Sequence, residues 1–373
     1  MIKKCIGLMV LIFVMACSSG DDTPEPDGGP NPGPGEELSF DRSAMLTNWA
    51  DNIIIPAYAD YSQQLEVLAS AKASFEANPN EGSLDEFRAA WVEAYRSWQR
   101  VSIFEIGPAE TVNLRLNTNI YPTDVTLIES NIESGSYDFD LSSNRVAKGF
   151  PALDYLLYGK PDPQLVADLS TSAYSNYLDA IITDLQERTA EVYAAWTSSY
   201  RDTFVNNDGS SATASTDRMV NDFIFYFEKH LRAGKMGIPL GVFSGNALPE
   251  NLEARFNGEI SKELFLIGLQ ASQDFFNGVA YNGTTSGESL NTYLDELNVV
   301  KDGADLNAMI NDQFDLARSA VSALGQFQTE LENNPPTQML NAYDEVQRLV
   351  PLFKVDMVSA MSIRIDFTDA DGD

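Results

Sequence analysis

Histidine and cysteine are almost absent from this chain. His230 is the only histidine among 373 residues, and Cys5 and Cys17 are the only cysteines. An H-E-x-x-H zinc site needs two histidines on one helix, so that class of metalloenzyme site is excluded, as are histidine-rich and cysteine-based metal clusters. A Ser-His-Asp triad would have to use His230, and no motif in the sequence supports one.

Positive charge is also scarce. The chain has 24 lysines and arginines against 55 aspartates and glutamates, which gives a formal net charge of −31. A body this acidic repels phosphate backbones and anionic lipid head groups. Nucleic acid is therefore excluded as a partner, and solubility outside the cell is sufficient to explain the acidity.

The first residues have the pattern of a lipoprotein signal peptide. Lys3 and Lys4 precede an apolar run over residues 6–15 that is short for a membrane span, and Ala16 and Cys17 follow it. We predict a signal peptide over residues 1–16 and a lipid on Cys17. An ordinary signal peptide that ends beside a cysteine is the alternative. Removal of the signal also removes Cys5, so no disulfide can form within one mature chain.

Residues 17–37 are rich in Ser, Gly, Pro and Asp and nearly devoid of apolar side chains. Such a segment cannot bury enough surface to order itself, so we predict a flexible tether. A lipid followed by a tether would hold a soluble body beside a membrane. The expected location is the cell envelope at the outer membrane, on either its periplasmic or its outer face.

Apolar residues recur at helical spacing through the rest of the chain, and this predicts an all-α body. The Asn- and Ser-rich stretch 206–216 divides it into an N-terminal half, 38–205, and a C-terminal half, 216–373. Residues 107–148 show little periodicity and are predicted to be a long irregular, functional connection. The predicted apolar stripes are Leu84, Phe87, Trp91, Tyr95 and Trp98; Tyr174, Leu178, Ile181 and Leu185; Met219, Phe223, Phe227 and Leu231; and Ile310, Phe314, Ala317, Val321, Leu324, Phe327 and Leu331.

The most informative stretch is residues 149–159, GFPALDYLLYG. It resembles the signature of the imelysin family, G-x-H-x-x-E followed by a hydrophobic run that ends in an aromatic-Gly pair. Pro151 stands at the histidine position and Asp154 at the glutamate position. The frame of the motif is present, but the best metal ligand is missing.

The resemblance covers about residues 40–367. Residues 91–99 (WVEAYRSWQ) and 104–110 (FEIGPAE) are similar to the first half of imelysin-like proteins, and residues 235–241 (KMGIPLG) to the helix exit of the second half. The resemblance implies two helical-bundle domains that pack against each other and arose by duplication. No repeat in the residues shows the duplication independently.

The resemblance also implies a site. Glu105 and Glu110 flank a Gly-Pro turn that it places near Asp154. Three carboxylates would suit a hard cation with oxygen ligands, such as iron or calcium. Structural use of Asp154, in a cap or a buried ion pair, is the open alternative. His230 is predicted to be a surface or packing residue. The further candidates for ligand binding, which could instead neutralise buried carboxylates, are Arg96, Arg115, Arg232 and Lys235.

Three functions remain. The favoured one is a non-enzymatic, lipid-anchored envelope protein that binds a ligand or metal and serves iron uptake, as the family resemblance implies. A metallopeptidase of the imelysin type is the second, although Pro151 removes the motif histidine that it would need. The third is a surface interaction protein without a metal site.

Overall fold

Regular structure in this protein is almost entirely helical. The structure, a computed structural model, describes residues 40–367, so the predicted signal peptide, the lipidation residue Cys17 and the tether 17–37 lie outside the described residues. Within them the strands are β1 (Val300–Lys301) and β2 (Ala304–Asp305), which form one antiparallel pair. The prediction of an all-α fold is confirmed.

The first half begins with a continuous helix that contains a π-helical stretch, Trp49–Ile54, and a second such stretch, Trp196–Tyr200, follows the last long helix. A 3₁₀ turn spans Ser142–Ala147. The α-helices are α1 (Arg42–Asn48), α2 (Ile55–Ala77), α3 (Glu81–Val101), α4 (Pro108–Thr111), α5 (Leu114–Thr118), α6 (Val125–Ser134), α7 (Gly149–Tyr158), α8 (Asp162–Leu169), α9 (Ser172–Ala195) and α10 (Arg201–Val205).

The second half contains the longest π-helical segment, Tyr226–Gly237, which continues directly from an α-helix. A second π-helical segment spans Leu352–Met357, and a 3₁₀ turn spans Pro249–Asn251. The α-helices are α11 (Ser215–Phe225), α12 (Ser261–Phe276), α13 (Leu290–Glu296), α14 (Leu306–Ser322), α15 (Phe327–Leu331), α16 (Thr337–Gln347), α17 (Leu349–Pro351) and α18 (Val358–Ala360).

Helix α3 shows how the sequence produces these elements. Its first turn is closed by a capping box, in which Asn80 accepts from the Ser83 backbone N–H at 3.1 Å and Ser83 accepts from the Asn80 N–H. The whole predicted stripe from Leu84 to Trp98 is buried, and it packs along α2. Each large apolar side chain buried in this way contributes about 1.5–3 kcal/mol.

The prediction of a single long helix stripe from Ile310 to Leu331 is wrong. Helix α14 ends at Ser322, and a separate helix, α15, begins at Phe327. Glu330 accepts a hydrogen bond from the Gly325 N–H at 2.8 Å, which fixes the turn between the two helices. The side chains of Leu324, Phe327 and Leu331 are still buried, so the apolar pattern is preserved across a break in the backbone.

The segment 107–148 is more regular than predicted. It contains α4, α5, α6 and a 3₁₀ turn. Helices of four or five residues are too short for a 3.6-residue period to show in the sequence, which explains the difference.

The described residues all belong to one compact unit that begins at Phe40. The predicted dividing stretch 206–216 covers the connection between α10 and α11 and the first two residues of α11, and the division into two domains remains a prediction. No helix in the described part of the chain has the length and apolar character needed to cross a membrane.

Candidate functional site

A cavity of about 370 Å³ lies where the end of α3, the start of the 119–122 turn and the π-helical segment Tyr226–Gly237 meet. This volume falls within the range of about 300–1,000 Å³ that is usual for small-molecule sites. We call it the central cavity. Its lining residues are Trp98, Gln99, Ser102, Arg115, Asn119, Ile120, Tyr121, Pro122, Tyr226, Lys229, His230, Gly234, Lys235, Ile238 and Asn251.

The π-helical segment supplies a third of this lining. Tyr226, His230 and Lys235 follow one another at steps of four and five residues, and Lys229 and Gly234 are also five apart. Five residues advance an α-helix by ~1.4 turns, which would turn such pairs away from each other. Because a π-helix bonds residue i to residue i+5, the same spacing brings them to one face. The local helix type therefore creates the polar wall of the cavity.

Helix α7 packs against the part of the cavity wall that contains Asn119. Gly149 has φ +71°, and a Cβ at this position would collide with the Thr118 carbonyl oxygen, so only glycine allows the close approach. Phe150 stacks on Tyr95, with ring centroids 4.4 Å apart and planes 3° apart. The Tyr95 hydroxyl donates to Asn119 Oδ1 at 2.6 Å. The GFPALDYLLYG stretch thus positions Asn119 in the cavity wall.

Glu253 anchors one end of the cavity. Its side chain is 1% exposed and accepts hydrogen bonds from Asn119 Nδ2 at 2.8 Å and Gln99 Nε2 at 3.3 Å, and also from the Lys235 ammonium. Burial lowers the pKa of Lys235, and the charge of Glu253 opposes this effect. The result is a buried ion pair between Glu253 and Lys235, which is one of the lining residues of the cavity.

Arg115 forms a second buried ion pair, with Asp222. Its guanidinium contacts the two Asp222 oxygens at 2.7 and 2.8 Å and Glu105 at 3.4 Å, and it also donates to two backbone carbonyls. Four hydrogen bonds and the ion-pair contact with Glu105 thus hold the guanidinium within the protein. Burial raises the pKa of Glu105 and Asp222, against the opposing charge of Arg115.

Several polar groups around the cavity have no hydrogen-bond partner among the described residues. Tyr121 and His230 are both half-buried, and neither side chain makes a hydrogen bond. Burial, followed by the charges of Arg115 and Lys235, lowers the pKa of His230 to about 3, so the imidazole is neutral. In the wall itself, Gln99 Oε1 and the Tyr226 hydroxyl are closed off and unpartnered. Buried orphan groups of this kind call for a ligand or water.

The residues that line the cavity carry net positive charge, whereas the chain as a whole carries net negative charge. Three basic residues, Arg115, Lys229 and Lys235, border the cavity, and none of its lining residues is an aspartate or glutamate. Lys229 is paired with Glu228 at 2.6 Å. The carboxylate partners of all three cations lie outside the lining.

Comparison with known proteins places this architecture in a family. The family model described as Peptidase_M75, Imelysin, matches residues 54–352, which is most of the chain. The chain belongs to the imelysin family. The resemblance predicted from the motifs is therefore confirmed.

Two solved structures are similar to this imelysin in fold. A crystal structure from Parabacteroides distasonis ATCC 8503, whose description names an iron-regulated protein A precursor, has a TM-score of 0.72 at 17% identity and covers 88% of this chain and 96% of its own. An imelysin-like protein from Psychrobacter arcticum 273-4 has a TM-score of 0.67 at 18% identity, and the match covers 87% of this chain and 97% of that protein's chain.

One curated relative is an iron-regulated protein A from Synechococcus elongatus. It is 22% identical over 158 residues, which is 41% of this chain and 41% of that protein. The match to this imelysin thus spans about two fifths of the relative's length.

The structure brings two of the predicted ligand-binding residues, Arg115 and Lys235, to the cavity. Arg96 lies near the surface, where it pairs with Glu93 and with Glu263 at 2.8 Å. Arg232 is buried but lies outside the cavity lining, where its guanidinium donates to the Tyr343 hydroxyl at 2.8 Å.

Asp154, at the glutamate position of the imelysin motif, is 2% exposed. Its two carboxylate oxygens accept hydrogen bonds from the backbone N–H groups of Phe256 and Asn257, each at 2.9 Å. Burial raises the pKa of this carboxyl to about 7, although the two backbone bonds oppose the shift. The geometry favours the structural alternative, because Asp154 ties α7 to the second half of the chain.

Of the three predicted metal ligands, Glu105 and Glu110 border one cavity of about 300 Å³, and Asp154 lies outside its lining. Glu105 binds the Arg115 backbone N–H at 2.9 Å, Glu110 pairs with Arg218 at the surface, and Asp154 is occupied at the 256–257 turn. In the described part of the chain no group of three or more His, Cys, Asp or Glu side chains could hold a metal ion. With Pro151 at the histidine position, the residues present do not fit the metal of an imelysin peptidase.

Sequence reasoning missed four residues of the site. The sequence predicts His230 to be a surface or packing residue, and no pattern in it marks Tyr121, Asp222 or Glu253. The one available signal was the position of His230, five residues before the family-like segment 235–241.

Proposed function

We propose that this imelysin is a lipid-anchored cell-envelope protein that binds a ligand in its central cavity and takes part in iron acquisition without catalysing a reaction. The observation that carries the proposal is the central cavity itself. It combines a ligand-sized volume with two half-buried polar side chains, Tyr121 and His230, that make no hydrogen bond to another residue in the described part of the chain.

The link to iron rests on relatives. The names of the Synechococcus elongatus protein and of the Parabacteroides distasonis structure both refer to iron regulation. The word precursor in the second name also supports export to the envelope.

The anchor is supported by the sequence alone. Lys3 and Lys4, the short apolar run and Cys17 have the order of a lipoprotein signal, and residues 17–37 have the composition of a tether. A lipid on Cys17 would leave the body free to face either side of the outer membrane.

The non-enzymatic role is supported by the motif region. A metallopeptidase needs a metal-bound water and a general base. Pro151 offers no ligand atom in its side chain, and both oxygens of Asp154 are held by backbone N–H groups.

Growth of a host strain that lacks this gene tests the proposal. The strain should grow poorly when iron is limiting, and the wild-type gene should restore growth. Gly234→Leu should not restore it, because the new side chain projects from the π-helical segment towards Tyr121, whose hydroxyl would lie 3.2 Å from the added Cβ. Cys17→Ser should also fail and should release the protein from the membrane fraction.

Gly209→Leu is the matched control, since a Cβ there meets nothing within 4 Å. It should restore growth fully. Restoration by Gly234→Leu at normal protein levels would contradict a role for the cavity. Cleavage of unfolded protein by the purified chain, lost on addition of a chelator, would instead support the peptidase alternative.

A further inference from the structure

We propose that the central cavity selects an oxyanion, a small molecule that carries carboxylate or phosphate groups, over a free metal cation. This inference rests on the proposed ligand-binding function and specifies the chemistry of its ligand.

The placement of charges supports an anion. Lys229, Lys235 and Arg115 are among the residues that line the cavity, whereas no aspartate or glutamate is. Each cation has its carboxylate partner outside the lining: Glu228 for Lys229, Glu253 for Lys235 and Asp222 for Arg115. The residues that line the cavity therefore contribute three positive charges and no negative charge.

The hydrogen-bond donors of the cavity lining also suit an anion. Tyr121 lies across from Gly234, and the absence of a side chain at Gly234 allows its hydroxyl to approach the π-helical segment. A tyrosine hydroxyl and the one N–H of a neutral imidazole both donate hydrogen bonds, as does an ammonium with N–H groups to spare. Lys235 makes one hydrogen bond, to Glu253, out of the three that an ammonium can donate. Hydrogen bonds from such groups to a charged oxygen are stronger than those between neutral groups.

A metal cation would meet an unfavourable field in the same place. The imidazole of His230 remains neutral partly because Arg115 and Lys235 repel a second positive charge beside it. The same two cations also repel a divalent cation at the imidazole nitrogen, more strongly because its charge is larger. Hard cations also require several oxygen ligands, and the lining supplies no carboxylate.

Calorimetric titration of the detergent-solubilised full-length protein tests this inference. The probes are citrate and inorganic phosphate as oxyanions, glucose as a neutral polyol, and Mn²⁺ as a cation. We expect at least one oxyanion to bind, and glucose and Mn²⁺ not to bind in the cavity. Tyr121→Phe and Lys229→Met should each weaken oxyanion binding about tenfold or more, because the first removes a hydroxyl donor and the second a positive charge from the cavity lining.

The matched controls lie outside the cavity. Tyr193→Phe removes a hydroxyl from a half-buried tyrosine, and Lys262→Met removes a positive charge whose ammonium donates to the Leu324 carbonyl at 2.7 Å. Both controls should bind the oxyanion as the wild type does. Equal losses in the Lys229 and Lys262 variants would reveal a general charge effect and overturn the inference.

The outcomes separate the two proposals. Binding of glucose or Mn²⁺ that Gly234→Leu abolishes, without oxyanion binding, overturns the choice of an anion and leaves the ligand-binding function in place. Failure of both oxyanions at millimolar concentration also overturns the inference, and the growth test of the proposed function is unaffected. Oxyanion binding that Gly234→Leu leaves unchanged places the ligand elsewhere and contradicts both proposals.

Discussion

Asp154 is a motif residue whose surroundings give it a structural role. Its carboxyl group receives two backbone N–H groups from the 256–257 turn, more than 100 residues away in the chain. Burial nevertheless raises its pKa to about 7. The folded protein thus binds a proton at this carboxyl more tightly than the unfolded chain does.

We predict that Asp154→Asn destabilises the protein by about 1–3 kcal/mol at pH 5, because the amide NH₂ faces one of the two backbone N–H groups and leaves it unsatisfied. A carboxyl whose folded pKa is raised stabilises the fold most at low pH, and this contribution is lost as the pH rises through about 7. The cost of the substitution should therefore shrink between pH 5 and pH 8. Urea unfolding followed by circular dichroism measures both values.

Asp312→Asn is a suitable control for that experiment because Asp312 is exposed on α14. It should change the free energy of unfolding little at either pH. A cost of Asp154→Asn that grows with pH would mean that the folded state favours the ionised carboxylate, contrary to the effect of burial.

Single residues of the candidate site could be predicted from the sequence only where they lie in a family-like motif or belong to the few basic residues near one. Arg115 and Lys235 were identified because basic residues are few and these two lie near family-like segments. Tyr121, Asp222 and Glu253 carry no such signal. Their roles come from contacts between segments far apart in sequence, such as Asn119 with Glu253 and Arg115 with Asp222.

The π-helical segment Tyr226–Gly237 explains why the sequence pattern does not place His230 in the cavity lining. A 3.6-residue period correctly places Phe227 and Leu231 in the core. It cannot show that His230 and Lys235 share a face, because that depends on the change from i+4 to i+5 hydrogen bonding within the helix. Nothing in an apolar pattern records that change.

Helix α7 yields a sharper prediction about its first residue. Gly149→Ala should destabilise the protein by about 2–4 kcal/mol, since left-handed backbone strain and a clash with the Thr118 carbonyl act together. The midpoint and slope of urea unfolding measure the loss.

Gly135→Ala separates the two causes. Gly135 also has a positive φ, +61°, at the end of α6, but a Cβ there meets nothing within 4 Å. Gly135→Ala should lower the free energy of unfolding by about 1–2 kcal/mol, which is the backbone strain alone. Equal losses in the two variants would contradict the close packing of α7 against Thr118.

The fold of the whole molecule was easier to predict from the sequence than its single residues or elements. Helical periodicity and the breakers between helices were sufficient to predict an all-α body, and the family-like segments were sufficient to predict the fold that the solved structures share. The cavity was not predictable, because it forms where α3, the 119–122 turn and a π-helix from the second half meet. Such a meeting point is a property of tertiary packing.

Charge is distributed unevenly between the cavity and the rest of the molecule. A chain with a formal net charge of −31 surrounds a cavity whose lining residues carry positive charge only. An acidic exterior repels anions in general, so retention of one would depend on the local contacts of the cavity rather than on attraction by the whole protein. The proposed ligand-binding site is therefore expected to be selective.

A crystal structure of the full chain equilibrated with citrate tests the central claim most directly. The account predicts electron density for citrate in the central cavity, within hydrogen-bond distance of Tyr121, His230 and Lys229. An empty cavity at saturating citrate, or a metal ion bound to Asp154 in its place, would contradict the account.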